Sequence, residues 1–158
     1  CGCWLACPER AISDWSEMHH PSNSDLCRRI PIVFKALRKL IREEKMGYVN
    51  MAYDITPHCD CAPYGDIPIV PDIGILASQD PVAIDKCTID MINASPGIPG
   101  SAAEELGVMG KGNDKLTALR DYKPFGTFKQ QGGPDWESMI RYSVQSKIGF
   151  EQYKIVRI

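Results

Sequence analysis

The sequence predicts an α/β fold, a layered sheet with flanking helices behind a cysteine-rich opening segment, and three observations predict it. Apolar residues recur at helical spacing from Ile30 to Ile41 and again from Val82 to Ile92. Two short runs, Tyr48 to Ile55 and Asp72 to Ala77, have the alternation or continuous apolar character of strands. Glycine and proline separate these runs, and strands set between helices pack as layers.

Taken in order, Ala11 to Trp15 reads as a short strand and Ser16 to Ser24, polar and broken by Pro21, as a loop. Ser24 caps the first long helix, in which Pro31 is tolerated or marks a kink. Ile30, Val33, Phe34, Leu37, Leu40 and Ile41 form its apolar stripe up to Gly47, with charges on the other side. Tyr48 to Ile55 and Asp72 to Ala77 are the strands on either side of an unusual loop. Asp80 as N-cap and Pro81 in the first turn then start a helix that is apolar nearly all round through Ile92, stopped by Ser95-Pro96-Gly97. Such a helix is buried, here against the two strands. Short helices follow at Ala102 to Leu106 and Lys115 to Tyr122. Asp135 caps a last amphipathic helix from Trp136 to about Lys147 ended by Gly149, and Tyr153 to Ile158 reads as a final strand.

Composition narrows the function. With 158 residues, 44% apolar and 24% charged, the chain is long enough for one ordinary core. A net charge of −2 offers no basic field for nucleic acid, and the basic stretch from Arg28 to Arg42 is interleaved with apolar residues as a solvated helix face is. No apolar run has the length of a membrane span, and the N-terminus carries no basic start or apolar signal segment. The expectation is a cytoplasmic protein without nucleic-acid or membrane partners.

Seven cysteines is a high and odd number, which argues against a pure disulfide framework; in a reducing compartment clustered thiols point to metal. Cys27 and Cys87 stand alone on helical patterns and read as packing residues. The other five form two clusters. Cys1-Gly-Cys3-Trp-Leu-Ala-Cys7-Pro8 reproduces, at Cys3-x3-Cys7-Pro8, the last two ligands and the proline of a ferredoxin-type cysteine run, with Cys1 as a third thiol out of register. Trp4 would shield a cluster from water there. A structural zinc half-site or free thiols are the alternatives. The second cluster lies in the loop from Thr56 to Pro71. In an extended chain Cys59 and Cys61 point the same way, so two thiolates can reach one zinc or iron ion with His58 or Asp66 adding nitrogen or oxygen. The alternative makes Cys59 and Cys61 inward residues of a strand end and Asp60 a turn former.

With these elements in place the chain resembles the uncharacterised iron–sulfur-centre proteins, which carry a domain of unknown function beside ferredoxin-type cluster motifs. The resemblance rests on Asp54-Ile-Thr-Pro-His-Cys-Asp-Cys61, Ile69-Val-Pro-Asp-Ile-Gly-Ile-Leu-Ala-Ser78, Asp80-Pro-Val-Ala-Ile-Asp85 and Ile148-Gly-Phe-Glu-Gln-Tyr-Lys-Ile155. It covers nearly the whole chain and aligns it with the C-terminal half of such proteins. It implies residues 1–15 as the tail of a ferredoxin-like cluster-binding segment and residues 16–158 as an α/β domain. It also implies a four-iron cluster held by Cys3, Cys7 and Cys1, and a redox protein as partner.

Other residues carry less. His19-His20 reads as exposed loop, and Asp85 and Asp90 either as buried proton-transfer groups or as helix-edge carboxylates facing solvent or Lys86. Gly107 to Gly112 lacks the spacing and preceding strand of a phosphate loop. Three functions follow: electron transfer in an anaerobic redox system, a metal-dependent enzyme using the His58 to Asp66 loop, or a non-catalytic partner in metallocluster assembly.

Overall fold

A computed structural model describes residues 23–41, 45–58, 65–122 and 135–158, with 23–26 by backbone alone. The predicted strand at Ala11 to Trp15, the loop through Pro21 and the cysteine run from Cys1 to Cys7 lie outside these residues.

The first helix, α1 (Asn23–Leu40), contains Pro31 in its interior rather than its first turn, so the bond from residue 31 to the Cys27 carbonyl is missing. Of the predicted stripe only Phe34 is covered. Cys27 and Pro31 are buried and Phe34 and Arg38 half-buried, whereas Ile30, Val33, Leu37, Leu40 and Ile41 are exposed. At 100° per residue the two stripes lie about a quarter-turn apart. The reason is the neighbour. The covered stripe faces α5 (Trp136–Gln145), where Cys27 Sγ donates to the Asp135 carbonyl at 3.2 Å and Phe34 packs against the cluster around Ile140.

Strands β1 (Tyr48–Ala52) and β2 (Gly74–Ser78) pair antiparallel, with Tyr48 opposite Ser78 and Ala52 opposite Gly74. Among the described residues this two-stranded ladder is the whole sheet. The layered sheet of the expectation is therefore realised as a small antiparallel sheet with flanking helices. β1 stops earlier than expected because Asp54 turns left-handed at φ 48°. The predicted last strand, Tyr153 to Ile158, runs with no ladder partner among the described residues. A ladder alone is marginal; what holds this one is α2 (Pro81–Ala94), which packs on one face of both strands. There Asn50 Nδ2 donates to Asp85 Oδ1 and Thr88 Oγ1, each at 3.0 Å.

α2 begins as its sequence requires. Asp80 accepts from the N–H groups of Val82 and Ala83, and Pro81 occupies the first turn. Its buried residues join two cores. Ile92 belongs to a cluster with Ile69, Val70, Ala102, Ala103, Leu119 and Tyr122, whereas Val82 and Ile89 pack with Ile140 and Ile148. α3 (Ala102–Glu105) and α4 (Lys115–Ala118), with a 3-10 turn at Leu119–Asp121, stand where short helices are predicted.

The glycine-rich stretch before α4 has a structural role. Lys115 is fully buried, and its Nζ donates to the carbonyls of Gly110 at 2.9 Å, Asn93 at 3.1 Å and Asn113 at 3.5 Å. Burial depresses the Lys115 pKa against the attraction of Asp114. Asp114 itself loses by burial, but donations from the Thr117 hydroxyl and N–H and from Trp136 outweigh that and hold it low.

Candidate functional site

The loop that carries Cys59 and Cys61 leaves β1 at Ala52 and returns towards β2. Its start is fixed by Ile55, whose carbonyl accepts from Ile69 N–H at 2.8 Å, and by buried Pro57. Its return is fixed by Ile69 and Val70, both fully buried, and by the Ile73 N–H bond to the Ala52 carbonyl at 2.9 Å. Across 14 residues of chain positions, 56 to 69, the two limbs are thus anchored on one core.

Both limbs meet Tyr122. Its ring lies 5.7 Å from the His58 ring at a tilt of 46°, and its hydroxyl donates to Asp66 Oδ2. The other oxygen, Asp66 Oδ1, accepts from Ile67 N–H at 2.7 Å. Donation from Tyr122 is the main reason the Asp66 carboxyl titrates below the usual range; burial opposes it, and the Ile67 N–H and the nearby His58 add to it. Tyr122 is pushed up by its own burial, then by the bond to Asp66 and the charges of Asp66 and Glu105, so it remains a protonated donor. The structure therefore brings together His58 and Asp66, two of the four loop residues the sequence marks for metal. Cys59 and Cys61 lie outside the described residues, as do Cys1, Cys3 and Cys7 and the His19-His20 pair.

His58 and Asp66 are residue types that can hold a metal. One imidazole and one ionised carboxylate sit beside each other, and each carboxylate oxygen that accepts one hydrogen bond keeps a second lone pair for an ion. Tyr122 fixes the orientation of the Asp66 carboxylate through its hydroxyl. Among the described residues no group of three or more His, Cys, Asp or Glu side chains gathers, so the loop's remaining donors would be the thiolates of Cys59 and Cys61. Tyr122 is the residue that sequence reasoning missed: it lies 56 positions from Asp66, and nothing in its neighbourhood in the chain marks it.

The remaining residues fall to structure. Cys27 and Cys87 are buried free thiols; burial raises both, aided by Asp135 at Cys27 and by Asp90 at Cys87. Asp90 pairs with Lys86 and accepts from the Tyr153 hydroxyl at 2.8 Å, as a helix-edge carboxylate does. Asp85 instead faces β1, where burial raises its pKa against the donation from Asn50.

Among the described residues no helix is long and apolar enough to cross a membrane. No curated protein and no solved structure matches the chain. Residues 9–90, just over half of the chain and spanning α1, the sheet, the loop and most of α2, match the model of a domain of unknown function, DUF362, and the protein belongs to that family.

Proposed function

We propose that this protein binds an iron–sulfur cluster and transfers electrons to a protein partner within an anaerobic redox system. One observation carries the reading: the run Cys3-x3-Cys7-Pro8 at the spacing of the closing ligands of a four-iron motif, with Cys1 beside it as a third thiol out of register. Thiolates in this pattern would supply the soft ligands such a cluster needs, and the aromatic Trp4 within the run would shield it from water, which tunes a potential. When bound, the cluster would supply one-electron chemistry; the chain's own part is to ligate, shield and present it. The test is the iron, sulfide and zinc content of anaerobically prepared protein, with its visible spectrum before and after dithionite. Iron with equal sulfide and a bleachable band is expected, and both should be lost in Cys3→Ser and Cys7→Ser. Zinc without sulfide, or no metal, would overturn the reading.

A second reading is favoured by the convergence of His58 and Asp66 on Tyr122. In it the His58 to Asp66 loop holds zinc or iron of its own, with Cys59 and Cys61, and serves a metal-dependent enzyme or an assembly partner. Such a metal survives Cys1→Ser, Cys3→Ser and Cys7→Ser together and is lost with His58→Ala or Asp66→Ala. Metal content that follows only the first three cysteines would rule it out.

A further inference from the structure

α1 has a second apolar face, and it stands in solvent. Cys27, Pro31, Phe34 and Arg38 lie on the side packed against α5, but Ile30, Ile32, Val33, Leu37, Leu40 and Ile41 are between 46% and 83% exposed. Ile41 continues the helix by one bond, from its N–H to the Leu37 carbonyl at 3.1 Å. At 100° per residue the positions from Ile32 round to Ile41 sweep about half of the helix perimeter, and of residues 27–41 only Ala36 and Arg29 stand among them. That arc is wider than the seam a single partner helix covers. Arg28, Lys35 and Lys39, all exposed, occupy the row of positions between this arc and the side covered by α5.

The polar side chains of this stretch have one sign, which is the second observation. Between Cys27 and Ile41 there is no Asp, Glu, Asn, Gln, Ser or Thr, so every polar group is an arginine or a lysine. Residues 23–45 hold seven cations against three carboxylates, a net +4 in a chain whose total is −2, and the rest of the chain therefore carries −6. Two of these cations are engaged within the fold: Arg38 donates to the Ile148 carbonyl, and Arg28 lies 5.5 Å from the centre of the Tyr142 ring. Arg29, Lys35 and Lys39 are exposed. A protein interface of this width carries a set of directional hydrogen bonds, for which the arc supplies no neutral polar group; an anionic lipid surface requires only apolar area and positive charge. A second copy of the helix would set one cationic face against another. The expectation of no membrane partner rested on span length and leader signals, and a helix lying along a surface needs neither.

We propose that the protein docks on an anionic lipid surface through α1, its aliphatic arc entering the boundary between headgroups and acyl chains and Arg29, Lys35 and Lys39 meeting the phosphates. The helix lies along the surface and does not cross it; among the described residues no helix is long and apolar enough to do so. Arg29, within the arc, has a stem long enough to carry its charge to the headgroups while its carbons stay in apolar surroundings. The negative charge of the rest of the chain is repelled by the same surface, which turns α1 towards it. The face shares no residue with the cysteine run or the His58 to Asp66 loop, so it stands independently of the metal readings.

Sedimentation of the full chain with vesicles tests it, using phosphatidylcholine alone and an equal mixture of phosphatidylcholine and phosphatidylglycerol. The chain is expected to bind the mixed vesicles, to bind phosphatidylcholine alone about tenfold or more weakly, and to be released as salt is raised. Leu37→Ser with Leu40→Ser, and separately Lys35→Glu with Lys39→Glu, are each expected to weaken binding to the mixed vesicles about tenfold or more while Tm stays near the parental value, because these positions are exposed. Lys35→Arg with Lys39→Arg keeps the charge and keeps binding. The proposal is overturned if the parent chain does not sediment with the mixed vesicles, if it binds phosphatidylcholine alone equally well, or if either weakened pair, at parental Tm, binds like the parent. Binding of polyglutamate without binding of vesicles would overturn it in favour of an acidic protein, and a dimer dissolved by Leu37→Ser with Leu40→Ser, again without vesicle binding, in favour of a second copy.

Discussion

The core around Ile69 and Val70 and the outer face of the β1–β2 ladder are built from the same residue types and end in opposite environments. Ile69 and Val70 are 0% exposed, closed in by Ile92, Ala102, Ala103, Leu119 and Tyr122. Val49, Met51 and Ile75, on the face of the sheet turned away from α2, are 63%, 72% and 64% exposed. Both regions have neighbouring β-branched and apolar side chains: Met51 stands directly opposite Ile75, and Val49 opposite Ala77. The difference is a covering layer. α2, α3 and the 3-10 turn at Leu119–Asp121 lie over the first region, and no described residue packs over the second. Side-chain hydrophobicity sets how much each site gains from burial, whereas the covering elements decide whether that gain is realised.

Substitutions across the two regions sharpen this contrast. The largest effect is expected for Ile69→Ala, which opens a hole in the closed core and should cost about 3 kcal/mol in urea unfolding. Equal stability of this variant and the parent would mean that the core is looser than described. Lys115→Met comes next: it leaves the carbonyls of Asn93, Gly110 and Asn113 without their shared donor, a loss of roughly 2 kcal/mol that thermal unfolding reads directly.

Asp85→Asn, on the covered face of the ladder, has a smaller and pH-dependent effect. The folded-state pKa of Asp85 is raised, so its contribution to stability is fully present below the unfolded value of about 3.9 and is lost as pH rises through the folded value. The variant should therefore be more stable than the parent at pH 7, by less than about 1 kcal/mol once solvent screening is allowed for, and the difference should vanish near pH 3. Tm measured from pH 3 to 7 decides it; a gap that widens on acidification contradicts the assignment. Asp66 and Asp114 have the opposite sign. Their lowered pKa values support the fold above about pH 4 and stop doing so as pH falls through the folded values.

The smallest effect is expected on the bare face. Met51→Ser should change stability by less than about 0.5 kcal/mol, because the side chain already stands in solvent. A loss close to that of Ile69→Ala would show that this face is covered in solution, and the comparison would collapse.

Much of the local structure was legible. Asp80-Pro81 announced α2, Asp135 announced α5, and the all-round apolar pattern from Val82 to Ile92 announced a buried helix. These signals are short-range, set by capping and by period, and they survive any tertiary arrangement. The burial of α1 was only partly legible: Phe34 of its apolar stripe is covered, but only the position of α5 selects Cys27, Pro31 and Arg38 beside it. Of the candidate site, the sequence marked His58 and Asp66 through their residue types and their nearness in one loop. It could not mark Tyr122, since a hydroxyl that orients a carboxylate 56 positions away leaves no trace in local spacing.

Taken alone, the sequence determined the caps that start α2 and α5, which loop concentrates ligand-type side chains, and that Cys3, Cys7 and Pro8 follow the spacing of the closing residues of a cluster motif. Tertiary structure decided which apolar stripe is covered, why Gly149, packed against the Asp80 carboxylate, must lack a side chain, and which groups Lys115 and Asp80 answer to. The physical reason is range: capping and periodicity act within a turn or two of chain, whereas burial and hydrogen-bond satisfaction depend on groups that only folding brings together.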